Sequence, residues 1–228
     1  MDIKIIASGS SGNAYLIGDG KTHLLLDAGI SFKRIQIGCG FKTSSIDACL
    51  VTHCHGDHAA AIPKLLQRGI TVYSNADVAG LYPGVQSVDA LRVFRIGTFR
   101  VLPFEAEHDV PCYGYQVTSE ETGEKLVYIT DSAYVKYTFS GLTHIMIEAN
   151  YAQEIMIDNV RDERVPLSLA ARVMETHMSI ETLLDLLRSN DMTQVRQIYL
   201  LHLSDGNSDA EAFKRQVQQE TGTEVYIA

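Results

Sequence analysis

The sequence predicts an α/β fold in which two sheets pack together with helices outside. Three features point there. Short β-rich runs dominate the first half, strand and helix patterns alternate in the last third, and residues of metal-ligand type close several strand runs. Elements in this order favour layered sheets flanked by helices.

In chain order, strands are expected over 3–7, 14–17, 23–27, 48–51 and 71–73, then 91–95, 99–104, 113–118 and 125–130. Each is a short run rich in β-branched, aromatic or leucine side chains. Between the early strands, Ile62, Leu65 and Leu66 share one helical face and Gly69 suits the stop. Residues 75–82 fit a short helix. In the last third, a strand over 144–148 precedes helices over 167–175 and 180–188. A strand over 197–201 follows, then a final helix. Ser208 and Glu211 match a capping box for that helix, Ala210, Phe213 and Val217 give it an apolar stripe, and Gly222 ends it. A short strand over 225–227 closes the chain. The segment Ser8-Gly9-Ser10-Ser11-Gly12-Asn13 reads as a tight hairpin turn, because a strand follows it where a phosphate-cradling loop needs a helix.

The 228 residues fit one domain, 1–228, with no repeat, low-complexity stretch or long linker. At 46% hydrophobic and 21% charged residues, the chain can bury a large core. No apolar run approaches the ~18–20 residues of a membrane-spanning helix. The start, Met1-Asp2-Ile3-Lys4, lacks the pattern of a signal peptide. Cys39, Cys49, Cys54 and Cys112 form no CxxC pair, so a reducing cytoplasm is expected. The net charge of −9 argues against broad non-specific affinity for nucleic acid, though a local basic groove is compatible with it.

The densest chemistry lies in Thr52-His53-Cys54-His55-Gly56-Asp57-His58, directly after an apolar run. Imidazole and carboxylate are good ligands for zinc, manganese and iron. So many in one segment can serve two cations, and a pair of cations forms a clamp for hydrolysing esters or phosphodiesters. Distant partners stand ready at strand ends: His108, Asp131 and His202. Cys54 lies between two candidate ligands, but alternation along an extended segment turns it away from them, which favours packing over nucleophilic chemistry. Tyr113 and Tyr115 offer base-stacking faces, with alternating strand packing as the plainer reading. His23 and His144 lie in apolar strands away from any ligand spacing and are expected to be structural.

The pattern His53-x-His55-x-Asp57-His58, with His108, Asp131 and His202 in order, resembles the metallo-β-lactamase-fold hydrolases. Within that superfamily, the turn at Ser8–Asn13, the segment Leu26-Asp27-Ala28-Gly29-Ile30-Ser31, Glu148-Ala149-Asn150-Tyr151 and His177-Met178-Ser179 resemble the YycJ/WalJ group. Ala152, Thr176, Ile180 and the stretch 158–165 differ from that group's usual residues, in the part expected to shape substrate choice. The resemblance implies an αββα sandwich, the metallo-β-lactamase fold, with two divalent metal ions (Zn, Mn or Fe). It implies that His53, His55 and His108 hold one metal, that Asp57, His58 and His202 hold the other, and that Asp131 bridges them. A water shared by two such cations loses a proton near neutral pH and becomes the nucleophile, with Asp57 orienting it.

The implied activity is a phosphodiesterase or exonuclease acting on nucleic-acid 5′ ends, on DNA rather than RNA. His177 is a candidate for binding the scissile phosphate or protonating the leaving oxygen. Asp27 is placed either to orient a ligand histidine or to cap a turn. Glu148 and Asn150 are placed either to line the site or to make structural hydrogen bonds. Two alternatives stay open: hydrolysis of a small phosphodiester or of a thioester, as in glyoxalase II relatives, and a non-catalytic metal-binding or redox module.

Overall fold

A computed structural model describes residues 1–228, which divide into two compact units. The first comprises Met1–Glu105 and Val110–Glu124; the second comprises Ala106–Asp109 and Lys125–Ala228.

The first unit is built on a six-stranded sheet in plain sequence order. Its strands are β1 (Asp2–Ala7), β2 (Ala14–Gly18), β3 (His23–Leu26), β4 (Ala48–Leu50), β5 (Thr71–Ser74) and β6 (Gln86–Ser87). β1, β2 and β3 are antiparallel, and β3 to β6 run parallel. The Ser8–Asn13 turn joins β1 to β2, as the sequence predicts. Parallel strands need crossovers. These are supplied by α1 (Phe32–Gly38), by α2 (Gly56–Ala59) with α3 (Ile62–Gln67), and by α4 (Ala76–Leu81). Ile35, Ile62, Leu65 and Val78 of these helices join Leu25, Val51 and Val72 in one buried cluster.

Strands β7 (Phe94–Ile96), β8 (Phe99–Ala106) and β9 (Cys112–Ser119) follow. β7 begins later than the sequence suggests because Leu91 takes a left-handed φ of 61°, which breaks an extended run there. The β9 edge is fastened to the loop after β4. Tyr113 N donates to Thr52 O at 3.0 Å, and the buried Tyr115 hydroxyl donates to Val51 O at 2.6 Å. Tyr115 is therefore a packing residue.

The second unit carries β10 (Lys125–Ile129), β11 (His144–Glu148), β12 (Gln197–Leu201) and β13 (Glu224–Ile227), all parallel and adjacent in that order. All five β11 residues are buried, the signature of a parallel strand covered on both faces. Helices α5 (Gln153–Arg161), α6 (Leu167–Thr176) and α7 (Ile180–Arg188) connect β11 to β12, and α8 (Ala210–Thr221) connects β12 to β13. α8 differs from the expected start. Asp209 caps it, accepting from Ala212 N at 2.9 Å, while Ser208 Oγ donates backwards to Ser204 O at 2.6 Å. Gly222, at φ 65°, ends it in the left-handed conformation as expected. No helix is long and apolar enough to cross a membrane.

Parallel strands place their carboxyl ends side by side, and loops leaving those ends are where open α/β sheets bind ligands. In the first unit, β3 delivers Asp27 and β4 delivers Thr52 and His53. In the second, β10, β11 and β12 deliver Asp131, Glu148 and His202. Asp27, Asp131 and His202 all have left-handed backbones, with φ of 55°, 43° and 52°. Such strained residues collect at sites where the surroundings over-determine them.

Candidate metal centre

In the first unit the ligand-rich segment is a loop running into the short helix α2. His53 and His58 are fully buried, and their ring centroids lie 4.2 Å apart. The His55 ring sits edge-on to His53 at 4.7 Å, and Asp57 Oδ2 is 3.6 Å from His58 Nε2. Asp27 organises this group from beneath. Its Oδ2 accepts from His58 Nδ1 at 2.8 Å, and its Oδ1 accepts from Thr52 N at 2.8 Å. The Thr52 hydroxyl has one proton to give, and Asp27 is its acceptor at 3.1 Å, so Thr52 Oγ1 accepts from His53 Nδ1 at 3.0 Å. Asp27 thus fixes His58 directly and His53 through Thr52. Asn13, from the glycine-rich turn, adds a further brace: its backbone N donates to Asp57 O at 2.8 Å, and its amide Nδ2 lies 3.0 Å from His58 Nε2. That turn therefore shapes the ligand loop. Cys54 faces the apolar cluster, as alternation predicts.

In the second unit Glu148 has the organising role. It is fully buried, and its Oε1 accepts from His177 Nδ1 at 2.6 Å and from His202 Nδ1 at 3.0 Å. Its Oε2 accepts from the backbone N of Ser132 and of Met178, each at 3.0 Å. The imidazoles of His177 and His202 stack at 5.3 Å. Asp131 lies beside them, its carboxylate 3.7 Å from His202 Nδ1 and 4.0 Å from His177 Nδ1. One ligand atom from each of Asp131, Glu148, His177 and His202 falls within 4.8 Å of the others. Asn150 Nδ2 donates to His202 O at 3.0 Å and lies 3.2 Å from His202 Nδ1, so it braces that histidine. His108 Nδ1 donates to Thr176 O at 2.9 Å, and its ring is 5.7 Å from that of His177. His144 lies in β11, its Nδ1 2.8 Å from the Thr143 hydroxyl, as a structural histidine would.

The electrostatics follow from this burial and pairing. Burial pushes His177 down, but the Glu148 charge and hydrogen bond outweigh it and hold the imidazole above its usual range. Burial pushes Glu148 up, and the neighbouring His177 and His202 bring it below the usual carboxylate value. His108 is lowered, chiefly by burial.

The donor chemistry fits divalent cations of the zinc, manganese or iron type. The ligand-type groups are all imidazole or carboxylate. In His53, His58 and His202, Nδ1 faces an oxygen acceptor, which leaves Nε2 as the ring nitrogen that can offer a lone pair to a cation. His108 makes the same kind of Nδ1 contact, to Thr176 O, while its Nε2 lies 3.1 Å from Asp109 Oδ1. Fixing the tautomer through an oxygen partner is how ligand histidines are held. Thr52, Asn13 and the double role of Glu148 were not singled out by the sequence. Only Glu148 carried a signal, as an acid closing an otherwise apolar strand.

Residues 22–203 match the family described as the beta-lactamase superfamily domain. The chain belongs to the β-lactamase superfamily. This superfamily member is 30% identical over 229 residues to exodeoxyribonuclease WalJ of Streptococcus pneumoniae serotype 2, covering 91% of this chain and 83% of WalJ. It is 27% identical over 242 residues to exodeoxyribonuclease YycJ of Bacillus anthracis, covering 96% and 88% of the two chains. Among solved structures, the metallo-β-lactamase fold protein YhfI of Bacillus subtilis matches with a TM-score of 0.77 at 18% identity, over 99% of this chain and 95% of YhfI. The superfamily member therefore has the metallo-β-lactamase fold, the α/β class its sequence predicts.

Proposed function

We propose that this chain is a dinuclear metal-dependent phosphodiesterase that removes nucleotides from DNA 5′ ends in the cytoplasm. The reading rests above all on the four ligand-type histidines whose Nδ1 atoms face oxygen acceptors, together with the exodeoxyribonuclease names of the two relatives. We assign His53, His55 and His108 to one cation, Asp57, His58 and His202 to the other, and Asp131 to both. We also read residues 1–228 as one catalytic domain.

Two divalent cations held by these residues would supply a water acidic enough to attack near neutral pH and would neutralise charge on the phosphate. Asp27 and Glu148 keep the imidazoles oriented throughout, from positions sealed against water. Asp57 is partly exposed on α2; its carboxylate would accept a hydrogen bond from the attacking water, aim it at phosphorus and take up its proton. His177 is held through Nδ1 by Glu148, so Nε2 is the atom that donates a proton to the leaving 3′ oxygen.

Metal-replete protein is expected to hold about two divalent ions per chain and to cleave 5′-phosphorylated DNA. Asp57→Ala should lower that cleavage at least ~100-fold, the scale of a lost positioning and general-base group. Protein that cleaves thioesters and leaves every phosphodiester intact would overturn the reading.

A further inference from the structure

The second unit contains a cavity of about 470 Å³ that none of the residues assigned above lines. One wall is the segment Tyr134–Thr138, and the other is α7, through Thr182, Asp185 and Ser189. Both walls continue directly from site loops. Tyr134 comes three residues after Asp131, and α7 starts three residues after His177. Glu148 Oε2 pins the root of both, accepting from Ser132 N and Met178 N at 3.0 Å each. Ser132 Oγ then donates to Tyr134 O at 2.8 Å, and Ser179 Oγ accepts from Thr182 N at 3.1 Å. The same carboxylate that orients His177 and His202 therefore sets the position of the cavity.

The lining suits one kind of guest. Val135 and Leu186 are buried and give an apolar floor. Tyr134 is 56% exposed, an unusual placement for a large aromatic ring held by a backbone bridge to Glu107. Lys136 is an exposed residue whose ammonium lies 5.4 Å from the Tyr137 ring centroid. Hydroxyls of Thr138 and Thr182 add polar edges. The acidic lining residue, Asp185, is paired with Arg188 at 3.0 Å. An exposed ring at Tyr134 and a cation two residues on at Lys136, with hydroxyls in the same lining, are the kinds of group that stack a base and hold its phosphate. The volume lies within the ~300–1,000 Å³ of small-ligand pockets. Three residues of chain span at most about 11 Å, and stacked nucleotides advance about 3.4 Å along a strand. The Tyr134 backbone is thus within about four stacked nucleotides of Asp131.

We propose that this cavity binds one nucleobase of the DNA strand under hydrolysis, stacked on Tyr134, with the adjoining phosphate on Lys136. The proposal rests on the nuclease reading above and names a substrate-positioning subsite for it. The test is an abasic scan. Metal-replete wild type and Tyr134→Ala are assayed for kcat/KM on 5′-phosphorylated oligonucleotides, each lacking the base at one of the first four positions. In wild type, loss of the base at one position should reduce kcat/KM by about 5- to 150-fold, the worth of one stacked base. Tyr134→Ala should show a loss of that size on intact DNA and no further loss on the oligonucleotide abasic at that position. Lys136→Ala, altered at an exposed tip, should raise KM on intact DNA and flatten the salt dependence by about one phosphate contact. A flat wild-type scan overturns the proposal, as does a Tyr134→Ala enzyme slowed equally on every substrate. Wild type that cleaves small phosphodiesters and no DNA removes the nuclease reading itself, and the subsite with it.

Discussion

Asp27 Oδ2 lies 2.8 Å from His58 Nδ1, with both side chains closed to solvent. The contact orients a histidine whose Nε2 is thereby the ligand-competent nitrogen, and the Thr52 hydroxyl extends the same control to His53. Asp27→Asn keeps the shape and removes the charge. Metal affinity is expected to fall about 10- to 100-fold, as for other outer partners of ligand histidines. Competition against a chromophoric chelator measures this, with circular dichroism to check the fold. An unchanged affinity would mean that Asp27 serves the turn alone.

Gly29 is required for space. A Cβ there would lie 1.5 Å from Asp57 O and 2.6 Å from His58 N, both backbone atoms that cannot step aside. Gly29→Ala should therefore cost at least about 3 kcal/mol, at the upper end of overpacking effects, or prevent folding. Gly56 lies between His55 and Asp57 yet meets nothing within 4 Å and has no left-handed backbone. Gly56→Ala should be neutral to within about 0.5 kcal/mol. Urea denaturation of the two variants reads the contrast, and equal stabilities would contradict it.

His177 is proposed as proton donor, without a share in metal binding. His177→Ala is expected to lose about 10²- to 10⁴-fold in DNA cleavage, the range of general acid catalysis, while metal content by elemental analysis stays at the wild-type level. Loss of metal along with activity would make His177 a ligand or a ligand support instead.

Asp19 supports the first unit far from the site. Its carboxylate accepts from Thr22 N at 2.9 Å, Thr98 Oγ1 at 2.6 Å and Ser119 Oγ at 2.7 Å. Burial raises its pKa, but these hydrogen bonds prevail and lower it from 3.8 to about 2. A depressed carboxylate stabilises fully above its unfolded value and loses that contribution as pH falls through the folded one. Asp19→Asn should cost about 1–3 kcal/mol at neutral pH. The gap from wild type should close as pH falls from 3.8 towards 2, in urea titrations across that window. A gap that stays constant with pH would contradict the assignment.

Much of the fold could be read from the chain because its central strands are apolar throughout and its longer helices have one buried face. The strands at 144–148 and 197–201 and the helix at 180–188 have the predicted bounds. Other elements left weaker traces. α1 spans only seven residues, too few for a helical period to show, and is fixed by its Ser31 cap. α5 buries Asn159 and exposes Ile157, which blurs its stripe. The ligand-type residues were visible because they close apolar strands. Their supports were not, since Thr52 and Asn13 are ordinary polar residues until the fold brings Asp27 and His58 to them. Glu148 gave half its meaning in advance: an acid at a buried strand end needs partners, but which two histidines supply them depends on loops about thirty and fifty residues further on.

The most direct test of the account is the product pattern on DNA. Protein stripped by chelation and reloaded with Mn²⁺ or Zn²⁺ is incubated with a 5′-phosphorylated duplex, and products are followed in time. Stepwise release of mononucleotides from the 5′ end by the reloaded protein, with none from the stripped protein, is the expected result. Intact DNA in the presence of bound metal, with a thioester or small phosphodiester cleaved instead, would contradict it.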